Sequence, residues 1–113
     1  MSPYANLATL DIDRVRRLAK GMGEILGSLG VQVGLLRNGK LRSISFVYPL
    51  DFPTSSQAFD QGNQHTDPYS AIAAMHYAIR DAGKAGWIVN DAHCDRASAL
   101  AEEFGVDFWT VKP

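Results

Sequence analysis

Between Asp11 and Leu29 apolar side chains recur at helical spacing: Ile12, Val15, Leu18, Ala19, Met22, Ile25, Leu26 and Leu29. They share one face of a helix, while Arg14, Arg17, Lys20 and Glu24 fall mostly on the others. Asp11 or Asp13 can cap the first turn and Gly30 can end it. The period then changes to two. Asn38-Gly39 is a turn pair that tolerates positive φ, and with it at the tip Arg37 faces Lys40, Val33 faces Ile44 and Val31 faces Phe46. One face of this hairpin carries Val31, Val33, Leu35, Ile44, Phe46 and Tyr48, with Arg42 at its rim.

Residues 49–66 show no periodicity and read as a long loop, mobile or ordered by a partner. Asp67-Pro68 is a helix start, a capping acceptor followed by Pro at the first helical position. Ile72, Met75, Ile79 and Ala82 form that helix's inward stripe, and it should stop near Gly83. Trp87-Ile88-Val89 reads as a short buried strand between Gly86 and Asn90-Asp91. Asp95 can cap a helix to Phe104, with Gly105 as terminator and Val106 to Val111 as a last strand. The expected fold is α+β, a single domain over residues 1–113 in the order α-β-β-loop-α-β-α-β. A small sheet carries the helices, residues 1–10 form a flexible arm, and the final strand–helix–strand is a right-handed crossover if parallel.

Composition adjusts this picture little. With 113 residues, 46% hydrophobic and 20% charged, the chain can bury a core without disulfide or metal. The lone Cys94 fits a reducing compartment, and no apolar run is long enough for a bilayer. With no basic-then-apolar leader visible, the expected location is the cytoplasm and no membrane partner is expected. Net charge is −1, but it is unevenly spread. Residues 1–50 hold seven basic side chains against three acidic, and residues 51–113 hold four against nine. Such a split can separate an anion-facing surface from an acidic site, or reflect solvated outer faces.

Ionisable side chains concentrate in His65-Thr66-Asp67 and in Asp91-Ala92-His93-Cys94-Asp95. If the Asp67-capped helix and the Trp87–Val89 strand are antiparallel neighbours, Asp67 and Asp91 lie at one edge of the domain. Carboxylates gathered there suit Mg²⁺ or Mn²⁺, which take oxygen ligands and activate water. The competing assignment makes Asp67 and Asp95 helix caps and Asp91 a turn residue. Zinc held by His65, His76, His93 and Cys94 has poorer spacing. Cys94 as a nucleophile is opposed by Asp91 and Asp95, and Ser55 and Ser56 with His65 lack the strand–turn–helix that presents a serine nucleophile.

Residues 65–93 resemble the RusA-type Holliday junction resolvases, small phage-associated α/β endonucleases. The likeness lies in His65-Thr66-Asp67, the helix from Pro68 to Ala82, and the run Ala85-Gly86-Trp87-Ile88-Val89-Asn90-Asp91-Ala92-His93. The family pattern is Asp-x-Asp-Asn entering a helix, then Ala-Gly, a short strand and a closing Asp pair that completes a Mg²⁺ site. Here His65 stands in place of the first Asp, Pro68 in place of the Asn, and Asn90 in place of one closing Asp. The resemblance implies a metal-dependent DNA endonuclease-like protein, active or not. Its catalytic set would be Asp67, Asp91 and His65, its Mg²⁺ or Mn²⁺ ligands Asp67, Asp91 and Asp95, and its DNA-backbone contacts Arg14, Arg17 and Lys20. The alternative is a non-catalytic protein-binding module, such as a small inhibitor or accessory protein of a phage or other mobile element. It would meet its partner through the 49–66 loop or the charge-split face.

Overall fold

A computed structural model describes residues 5–39, 41–52 and 64–111. A 3-10 turn at Leu7–Thr9 precedes helix α1 (Ile12–Gly27), and strands β1 (Gln32–Asn38) and β2 (Leu41–Val47) follow. Then come a short strand β3 (Gln64–His65), helix α2 (Pro68–Lys84) and helix α3 (Asp91–Glu103). The three strands form an antiparallel sheet in the order β1-β2-β3. The domain is therefore α+β, with the helices gathered on one face of a small sheet.

Asp11 caps α1 by accepting from the Asp13 amide at 2.8 Å, and Val15, Leu18, Ala19, Met22, Ile25 and Leu26 are buried along one stripe. Gly30 ends the helix at φ 77, where the Val31 amide returns to the Leu26 carbonyl at 3.1 Å. A side chain is excluded there twice over: the backbone is left-handed, and a Cβ would meet the Trp87 ring at 2.7 Å. Helix α2 ends at Lys84, one residue from the expected stop near Gly83, and closes in the same manner through Gly86. Its cap is Asp67, which accepts from the Ser70 amide at 2.8 Å, with Pro68 in the first turn.

The hairpin forms, but two residues out of the expected register. Asn38 pairs with Leu41, Leu35 with Ile44 and Val33 with Phe46, so Val33 does not face Ile44. With Asn38 opposite Leu41 the turn centre lies one residue beyond Asn38-Gly39, and Gly39 takes positive φ, at 62°. Because the shift is even, every side chain keeps its expected face. Ile44 and Phe46 are fully buried against the helices, and Val31 is 1% exposed.

Two expected strands are absent. Trp87, Ile88 and Val89 link α2 to α3 without pairing, and Ile88 is 84% exposed. Three residues between a helix-closing glycine and a helix cap are consumed by the reversal. Residues 106–111 form turns instead of a strand, with Asp107 accepting from the Trp109 amide at 3.0 Å. Val106, Phe108 and Val111 are buried all the same, and these side chains plug the core from a turn. The right-handed crossover built on these strands lapses with them. The amino-terminal arm is also partly anchored: Leu7 is fully buried and its amide donates to the Thr66 carbonyl at 2.7 Å. Of the 49–66 loop, residues 53–63 lie outside the described residues, Phe52 is buried, and Gln64–His65 pair with Ser45 and Ile44.

Candidate functional site

The acidic residues are separated by the packing of the helices. Helix α3 runs antiparallel to α1: His93 meets Ser28, Arg96 meets Glu24, Leu100 packs on Gly21, and Glu103 reaches Arg17. Asp91, in the first turn of α3, therefore lies at the carboxyl end of α1. Asp67 lies at the opposite end, because Thr66 is bonded to Leu7, five residues before α1 begins. A helix of 16 residues spans about 24 Å. The expectation that Asp67 and Asp91 share one edge thus fails, and the cause is the absent Trp87–Val89 strand on which it rested. Among the described residues, no group of three or more His, Cys, Asp or Glu side chains is placed to hold a metal ion.

Each of these residues has a structural task or an exposed position. Asp67 caps α2. Asp95 does not cap α3, since Asn90 does so five residues earlier, and Asp95 lies exposed within the helix. His65 sits in β3 opposite Ile44, with its ring edge-on to Phe46 at 5.4 Å between centroids. Its Nε2 is buried without a hydrogen-bond partner among the described residues. Burial lowers its pKa to about 4, and the nearby Asp67 charge only partly opposes this. His65 is therefore neutral near pH 7, an aromatic wall of the core continuing the row Phe52, Tyr48 and Phe46. Tyr48 is pushed up to about 12 by burial first and then by Asp81, a carboxylate 3% exposed on α2 whose Arg80 neighbour stands 3.4 Å away.

The α1 cations have also been put to use. Arg17 donates to both carboxylate oxygens of Glu103, at 2.7 Å from its Nη2 and at 3.0 and 3.2 Å from its Nε. That partner raises the guanidinium pKa. Arg14 donates to the Glu103 carbonyl at 3.1 Å and lies 4.9 Å over the Phe104 ring. Lys20 stands in the same open groove of about 740 Å³ between α1 and α3, without an ion pair among the described residues. Arg16 with Asp13 and Arg96 with Glu24 balance the rest of that groove. Two of these pairs, Arg17 with Glu103 and Arg96 with Glu24, cross between α1 and α3, while Arg16 with Asp13 lies within α1.

At the start of α3, His93 of the Asp91–Asp95 segment has a role that its residue type alone did not assign, in a cap with Asn90. The Asn90 amide donates to His93 Nδ1 at 3.1 Å and the His93 amide donates to Asn90 Oδ1 at 3.3 Å, a reciprocal cap. With Nδ1 accepting, the proton of the neutral ring belongs on Nε2, which donates to Ser28 Oγ at 2.7 Å. The available signal was an Asn three positions before a side chain able to reach back, with His standing where Glu or Gln is usual. Neighbouring Cys94 has its pKa raised by burial first, then by Asp91 and Asp95, which disfavours the thiolate.

What remains open is the hairpin. On the face turned away from the helices, Leu36 is 48% exposed, Leu41 61% and Val47 57%, beside Gly34, Ser43 and Ser45. No described strand pairs with the outer edge of β1, so that edge presents free backbone donors and acceptors. Among the described residues no helix is long and apolar enough to cross a membrane. Comparison of the chain with family models, curated proteins and solved structures gives no match.

Proposed function

We propose that this chain is a small non-catalytic protein-binding module whose working surface is the β1–β2 hairpin, and that a partner polypeptide adds to the β1 edge. The observation that carries this reading is the contrast between the two faces of the hairpin. Ile44 and Phe46 are fully buried on one face, while Leu36, Leu41 and Val47 stand exposed on the other beside an unpaired edge. Strand addition uses main-chain hydrogen bonds for affinity and alternate side chains for selectivity. A metal-dependent nuclease in the RusA manner would need Asp67 and Asp91 on one ion, and they lie at opposite ends of α1.

The test pairs two measurements. An ion bound only by the folded chain must raise its melting temperature. The module reading expects no shift with Mg²⁺ or Mn²⁺ and no cleavage of branched DNA. It also expects Val47→Lys and Leu41→Lys to leave the fold intact while weakening partner association. Metal-dependent cleavage abolished by Asp67→Ala, or association indifferent to both hairpin variants, would overturn it.

A further inference from the structure

Resting on the binding-module reading, we infer that the β1 edge pairs with the β1 edge of a second copy of this chain, antiparallel and two-fold symmetric about Leu35. The argument begins with side chains that are half covered. Val33 and Leu35 point to the core face, and their partners Phe46 and Ile44 are fully buried, yet Val33 and Leu35 are only partly so. Both stand on the edge strand, next to the side on which a further strand would lie. The edge carries none of the usual guards: in Gln32–Asn38 there is no Pro, no Lys and one charge, Arg37.

The outer face selects the partner and the register. Leu36 protrudes, 48% exposed, and Gly34, two positions away on the same face, leaves a gap in which an added Cβ meets nothing within 4 Å. A glycine inside a strand often marks the close approach of another chain. Antiparallel pairing centred on Leu35 sets each Leu36 opposite the other copy's Gly34, so projection and gap fit twice through one symmetric contact. Centring on Gly34 instead would oppose the two gaps and strand Leu36. The charges agree. Centring on Leu35 puts Arg37 against Val33 of the other copy, whereas parallel pairing would set Arg37 beside Arg37. A net charge of −1 adds little repulsion between copies.

Sedimentation equilibrium up to about 100 µM, within the range where modest interfaces assemble, reads the outcome. The expected mass is twice the 12.3 kDa of the chain. Leu36→Lys places two lysines diagonally across the contact and should return the chain to a monomer with an unchanged circular dichroism spectrum. Gly34→Glu should do the same without crowding its own chain. Combining Gly34→Glu with Leu36→Lys sets opposite charges across the contact and should restore the dimer. In a Cys94→Ser background, Leu35→Cys should form an inter-chain disulfide, because directly opposed strand positions lie within disulfide reach, and Val33→Cys should not. A monomer throughout the range, or a dimer indifferent to Leu36→Lys and Gly34→Glu, overturns the inference. A monomeric wild type that still binds another polypeptide through Leu41 and Val47 leaves the module reading standing. Loss of that binding role as well would sink both.

Discussion

The α1–α3 groove and the β1–β2 hairpin are both exposed, and they treat their exposed groups in opposite ways. In the groove, Arg17, Arg16 and Arg96 are each held by a carboxylate of the same chain, and Arg14 rests on Phe104. On the hairpin, Leu36, Leu41 and Val47 stand largely exposed, and among the described residues no strand lies beside the β1 edge. Arg17 and Arg96 tie α1 to α3, while Arg16 pairs within α1. Among the described residues, the hairpin is where apolar side chains and backbone amides stand uncovered together.

The largest effect should come from the hairpin's covered face. Phe46→Ala removes a fully buried ring and should cost about 3–5 kcal/mol, while Leu41→Ser on the open face should stay within about 0.5 kcal/mol. Urea unfolding of the two variants checks the difference, and equal costs would mean the faces had been assigned wrongly.

Acid should come next. The folded-state pKa of His65 is about 4, below its ordinary 6.5, so folding disfavours the imidazolium. The unfolded chain then binds more protons between those values, so stability is full above pH 6.5 and falls as pH drops toward 4. The loss is on the order of 3 kcal/mol for a group this deeply placed. Denaturant melts of the wild type and His65→Phe across this window should show the dependence shrinking in the variant. An unchanged slope would argue that His65 is solvated.

The caps should give smaller and more selective effects. Asn90→Ala should cost about 1 kcal/mol by opening the reciprocal cap with His93, and Asp67→Ala a similar amount at α2, whereas Asp95→Ala should cost little. A matching loss from Asp95→Ala would restore it as the cap of α3. Least of all should follow from the groove: Arg17→Ala, though it breaks a two-pronged contact with Glu103, should fall within about 1 kcal/mol because both partners are well exposed. A larger cost would make the groove a structural keystone.

Local signals in the sequence served well. Asp11, Asp67 and Pro68 start helices through contacts within a few residues, and those contacts do not depend on the rest of the fold. The hairpin faces were legible because an error of two residues in register keeps the parity of every side chain. Trp87–Val89 and Val106–Val111 were not legible, because a short apolar run looks alike in a strand and in a turn that plugs a core. The acidic edge inherited that error, since only a strand returning along α2 would have brought Asp91 back to Asp67. The exposure of Leu36 and the unpaired state of β1 depend on what the other elements leave uncovered, and no local pattern records that.

Amide hydrogen exchange followed along the whole chain, at low and high protein concentration and with and without Mg²⁺, compares the two regions in one experiment. The amides of Gln32–Asn38 should become protected as concentration rises, while those around Asp67 and Asp91 stay unaffected by the metal. Protection that appears around Asp67 and Asp91 on adding Mg²⁺, with β1 unchanged at every concentration, would contradict the assignment of the working surface to the hairpin.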